Sequence, residues 1–242
     1  MAELNLLFGP SSGFQAYSAY HWIPISLWIC LTVIWIAMTK NLNEQLKNKQ
    51  ALLFSIILSS AIILTMIAKI IMQKFDVATD LPFHLCNILA LIYPIALKLN
   101  KSWFFGMLYY WVLAGTLQAI FTPDLKEMPP NFIYFRYWLV HCGLVSLLFF
   151  GLINLKWKVT FKNITHALLG ANVYMIFSLI INFITNGNYF FTMRKPEAKS
   201  LMDYIGPWPW YLLTGQLVML ILFVLLYIPF YFINKKKYSI PS

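Results

Sequence analysis

The chain has 242 residues, of which 60% are hydrophobic and 11% charged, and carries a formal net charge of +10. A soluble domain cannot keep that much apolar surface from water, so the composition excludes a water-soluble enzyme or carrier and predicts an integral membrane protein. The three cysteines, Cys30, Cys86 and Cys142, all fall inside apolar stretches and form no CxxC or finger-type spacing, which argues against a disulfide framework or a structural metal.

Seven stretches approach the roughly 20 residues that a helix needs to cross a bilayer core. They lie near 21–39, 51–72, 82–98, 103–121, 132–153, 163–185 and 209–233. No basic region followed by an apolar core precedes Tyr20, so the first span is expected to act as a signal anchor. His21 and Trp22 at its edge are read as interfacial. The second span ends with Lys69, whose alkyl stem lets it snorkel to the surface. The third is short and opens with DLPFHLCN, where Asp80 suits an N-cap and Pro82 an early helical position. The fourth carries Gly106, Gly115 and Gln118, and both it and the third are candidates for a broken or re-entrant segment. The fifth holds Arg136 and His141, and the sixth His166 and Asn172. Before the seventh, Asn186, Gly187 and Asn188 suit a tight turn, while Gly206, Pro207 and Pro209 delay the helix. Trp208, Trp210 and Tyr211 fit an interfacial belt, and the whole connection is a candidate cap. The fold class is all-α, a polytopic membrane helical bundle of about seven transmembrane helices. Residues 1–242 form one integral membrane domain without solenoid repeat or low-complexity segment.

The charges alternate connection by connection. Residues 40–50, 98–102, 154–162 and the C-terminal tail carry 11 basic side chains against the single acid Glu44, whereas the N-terminus (with Glu3) and the other connections carry 7 of each sign. By the positive-inside rule the N-terminus is outside and the C-terminus cytoplasmic, in a multi-pass protein of the cell membrane. Topology accounts for the whole positive excess, so no nucleic-acid partner is needed.

That orientation gives the unusual polar residues a depth. On a regular helix Cys86 lies about 8 Å below Asp80, and His141 about 8 Å beyond Arg136, so Cys86 and His141 meet if spans three and five pack together. Asp80, His84 and Asn87 share one helical face, from which Cys86 points about 200° away. His84 is therefore a poor base for Cys86 unless the helix is broken there, and His141 from another span is the better candidate. A thiol becomes a nucleophile when a base, a cation or a helix N-terminus favours its thiolate, and burial opposes this. The alternative is a buried cysteine packing as a small hydrophobe, with the histidines bonded across helices. Ionisable groups inside a membrane nonetheless tend to face a cavity or a partner. Arg136 either snorkels or clamps a lipid phosphate through its planar fork. Four scattered histidines without an HxxxH pair give no metal ligand set, and nothing calls for a cofactor.

The segment LPFHLCN, the stretch RYWLVH from Arg136 to His141, and NYFF…KP…SLMDYIGPWPWY together resemble the YwaF family of bacterial integral membrane proteins, over most of the chain. That family is similar to eukaryotic transmembrane acyltransferases that move acyl chains between phospholipids without a free acyl-CoA donor. The resemblance implies that Cys86 carries the acyl group and that His141 is its base. The expected function is a lipid acyltransferase or transacylase acting on membrane phospholipids, with His84, Asn87, Arg136 and Asp80 as substrate-binding residues. The rival readings are a small-molecule or ion transporter, with Lys69 and Asn172 on a polar path, and a non-catalytic membrane scaffold.

Overall fold

The computed structural model describes the backbone of residues 6–9 and 11–238 and side chains as far as residue 233. Glu3, Lys235, Lys236 and Lys237, counted above, lie outside the described side chains. The described residues form seven principal helices: α1 (Ala19–Thr39), α2 (Glu44–Ile71), α3 (Leu85–Leu99), α4 (Ser102–Phe121), α5 (Phe132–Ile153), α6 (Lys162–Thr185) and α7 (Trp210–Tyr238). Six are long and apolar enough to cross a membrane; α3, with 15 residues, falls short.

Helix ends follow local chemistry. Asn43 caps α2, its side chain accepting from Leu46 N–H at 2.8 Å. Asn131 caps α5 in the same way through Ile133 N–H at 2.8 Å. Asn100 and Asn186 stop α3 and α6 in the left-handed conformation, which asparagine tolerates better than most residues. α2 begins seven residues before its expected span, so Lys47 and Lys49 stand on its projecting first turns rather than in a loop.

Two sets of connections gather at opposite ends. At the basic end, Asn154 donates to Ile36 O and Thr39 Oγ1 at 3.0 and 2.7 Å, and Trp157 stacks on Phe105 with centroids 4.0 Å apart. At the loop-rich end lie residues 73–84, 122–131 and 186–209; Phe14 N–H of the N-terminal segment bonds Lys126 O at 3.2 Å, and Lys126 pairs with Glu197 at 2.6 Å. Between the ends, α5 packs against α1, α2, α3 and α4. Close approach there rests on small residues, as in many membrane bundles. A Cβ on Gly143 would stand 2.7 Å from Leu58 of α2, and one on Gly106 of α4 would fall 2.2 Å from Asn163 of α6.

Three local expectations are corrected. Asp80 does not cap a helix: residues 80–84 are irregular and His84 occupies the cap position of α3. The cause is Lys69, which draws the Asp80 carboxylate into an ion pair, leaving its second oxygen to accept from Asp76 N–H at 3.0 Å. Lys69 for its part is held in that pair rather than snorkelling freely. His21, read as interfacial, is fully buried. It accepts from Tyr17 N–H at 2.8 Å through Nδ1, donates to Ile120 O at 2.7 Å through Nε2, and stacks on Trp22. Both nitrogens are satisfied, so neutral His21 sits in the core without an unpaired polar atom.

Candidate functional site

The shortness of α3 creates the site. Fifteen residues rise about 22 Å, less than the roughly 30 Å of a hydrocarbon core, and irregular backbone makes up the remainder. Such backbone is tolerated at membrane depth only where protein or a water-filled cavity satisfies it. Here tyrosines do so. Tyr174 OH of α6 donates to Phe83 O at 2.6 Å, while Tyr189 OH donates to Val77 O at 2.8 Å and accepts from Leu81 N–H at 3.0 Å.

Behind this segment lies a cavity of about 670 Å³, walled by α2, the start of α3, α4, α5, α6, α7 and the 186–209 connection, within the range of small-molecule sites. All six residues expected at a site line it: Asp80, His84, Cys86, Asn87, Arg136 and His141. The helical-face argument against His84 does not apply, since His84 precedes the helix. Its ring sits among Tyr189 and Phe191, with centroids 5.3 and 5.5 Å away. Asn87 lies in the first turn of α3.

His141 is oriented by its own helix. Its Nδ1 is 2.7 Å from Tyr137 O, and a carbonyl oxygen only accepts, so Nδ1 carries the hydrogen and the neutral ring has its lone pair on Nε2. The ring also stacks on Tyr137 at 4.0 Å. Tyr137 is fixed in turn, its OH donating to Ala119 O of α4 at 2.7 Å. Arg136 is half-buried with Nε unpaired.

The cavity changes character along its length. Near the loop-rich end it is lined by Lys69, Asp80, Asp124, Glu127 and Ser200; deeper, by Ile62, Trp111, Ala171, Met219, Leu222 and Phe223. Phe190, Phe191 and Thr192 form part of the lining, so the connection before α7 does cover the site. It is tied down by Asn182, which bonds Tyr189 O and Thr192 Oγ1 at 2.9 and 2.8 Å, and by Tyr211 OH on Phe191 O at 2.6 Å. Asn172 bonds Leu168 O and Gln216 at 2.9 and 3.1 Å. The fourth span is not re-entrant; it runs through a π-helical turn, Val112–Thr116. Among the described residues no group of three His, Cys, Asp or Glu is placed to hold a metal ion, and the three cysteines are free.

The sequence did not single out Tyr137, Tyr174 and Tyr189 as site-building residues, and named Lys69 only on the polar path of a transporter. For Tyr137 a signal existed: four residues before His141, it lies one turn away on the same face.

Six helices long and apolar enough to cross a bilayer and a shorter seventh, arranged around one cavity, define a multi-pass helical membrane protein. The chain belongs to the TMEM164 family, which residues 16–227 match. It is also similar to an uncharacterized protein of Treponema pallidum (strain Nichols), 23% identical over 217 residues that cover 90% of each chain. No solved structure matches.

Proposed function

We propose that the protein is a phospholipid acyltransferase of the transacylase type, with Cys86 as nucleophile and His141 as base. The observation that carries this reading is the convergence of Cys86, His141 with a free Nε2 lone pair, and Arg136 with an unpaired Nε in one amphiphilic cavity. The likeness of LPFHLCN and RYWLVH to the YwaF family and its acyltransferase relatives supports the same assignment.

In the first half-reaction His141 Nε2 takes the Cys86 proton, and Sγ attacks the ester carbonyl of a phospholipid. The C–O bond breaks, the departing lysolipid alkoxide takes the proton from His141, and the acyl group stays on sulfur as a thioester. In the second, His141 accepts the proton of an acceptor hydroxyl, whose oxygen displaces Sγ; the proton returns to the thiolate. Arg136 holds the lipid phosphate, and the apolar depth of the cavity takes the acyl chain. His84, Asn87 and Asp80 surround the head-group region. In this reading the membrane is the cell membrane, with the N-terminus outside and the site open to the outer surface, an orientation that the charge distribution supports.

The test is the intact mass of purified protein incubated with defined phospholipids. Wild type is expected to gain a hydroxylamine-labile acyl adduct, Cys86→Ala none, and His141→Ala the adduct at a rate lower by about 100-fold or more. No adduct on folded wild type from any phospholipid would overturn the reading.

A further inference from the structure

Thr116 has no place in that two-residue scheme, yet it is fully buried and its hydroxyl oxygen lies 3.7 Å from Cys86 Sγ, the thiol donating. Among the described residues that hydroxyl has no other hydrogen-bond partner. It reaches the sulfur through a backbone irregularity. α4 widens to a π-helical turn over Val112–Thr116, and one extra residue in a turn rotates everything after it by about 100° relative to a regular helix. Gly115 in the same turn lies against α3, where a Cβ would meet Leu85 Cδ2 at 2.7 Å. The widened turn and the first turn of α3 are thus seated directly on each other, with Thr116 facing Cys86.

We propose that Thr116 is a positioning residue for the Cys86 sulfur. At rest its oxygen accepts the S–H; once the proton has left for His141 Nε2, the hydroxyl rotates and donates to the thiolate. A hydroxyl can play both parts, and hydrogen bonds to an ionised acceptor are roughly twice as strong as neutral ones. The other titratable or charged groups from α5, α6 and the segment before α3 in the cavity that Cys86 lines are Arg136, Tyr137 and His141, Tyr174, and His84; the substitution at Thr116 replaces none of them. The catalytic meaning of this contact rests on the acyl-transfer reading, but the support of the thiolate does not.

The experiment is the pH profile of Cys86 alkylation by iodoacetamide in the full chain, followed by peptide mass so that Cys30 and Cys142 are counted separately. Thr116→Val keeps the side-chain shape and removes the O–H. Its midpoint is expected to rise by about one pH unit, with alkylation near neutral pH slowed about tenfold, and Thr116→Ser is expected to restore most of the loss. A valine profile superimposed on wild type, or a serine variant as slow as the valine one, would overturn the proposal. Thr116→Ala takes the place of the valine variant if that protein does not fold. Failure of the acyl-transfer reading has a different signature: no lipid adduct on wild type, with the alkylation shift intact.

Discussion

Lys69 and Asp80 show how one pair of side chains decides the conformation around Cys86. Asp80 is nearly buried, its side chain 8% exposed, and Lys69 is 23% exposed. The attraction between them works at reduced dielectric, and removing one partner strands the other charge. Asp80→Leu is expected to lower stability by about 1–3 kcal/mol, less than a fully buried pair because Lys69 keeps some solvent. Lys69→Met combined with Asp80→Leu is expected to recover most of it. Thermal melts of the three proteins in one detergent check this; equal losses in the single and double variants would show that the pair holds nothing. Neither half of the contact was legible in the sequence, because a cap and an ion pair compete for the same carboxylate and only the fold decides between them.

At the level of elements, the irregular 80–84 segment is held by phenols from elsewhere. Tyr189→Phe removes the hydroxyl that serves both Val77 O and Leu81 N–H; Val77 is exposed and Leu81 half-buried, so the lost bonds cost about 1 kcal/mol. Hydrogen exchange at the Leu81 amide is expected to accelerate, with α5 unchanged; unchanged protection at Leu81 would count against this role. Most helix boundaries were legible, since apolar length is a strong signal and the observed ends of α4, α5 and α6 fall within one residue of the expected ones. The exceptions are informative. α3 starts late because Asp80 is occupied, and α2 starts early because a well-capped polar turn needs no bilayer. The π-helical turn left no pattern to read beyond Gly115, because its purpose is a contact with α3. The six residues that line the cavity stood out in the sequence, the ionisable and amide ones through their cost in a membrane and Cys86 through its depth and the motif LPFHLCN, whereas the tyrosines around that cavity look like ordinary interfacial aromatics.

For the molecule as a whole, the segregation of lysines predicts that a reporter fused after α7 is active in the cytoplasm and one inserted near Lys126 is not. The reverse pattern would invert the orientation. The Lys126–Glu197 pair joins two connections at the loop-rich end, yet both side chains are exposed. Its hydrogen bond and charge hold the Glu197 carboxyl below the ordinary carboxylate range. Any contribution is therefore present near neutral pH and lost as the pH falls through that lowered value. Exposed pairs contribute little, so Lys126→Gln is expected to melt with wild type at pH 7. A clear fall in melting temperature would show that the two connections depend on this pair.

The cavity has one further consequence. Its lining includes residues of the connections at the loop-rich end but none from those at the basic end. On the proposed transacylase function, a protein reconstituted in a single orientation would therefore draw its lipid from one leaflet only. In sealed vesicles about half of the lipid would be out of reach, and consumption would stall there until flip-flop or a detergent brought the rest across.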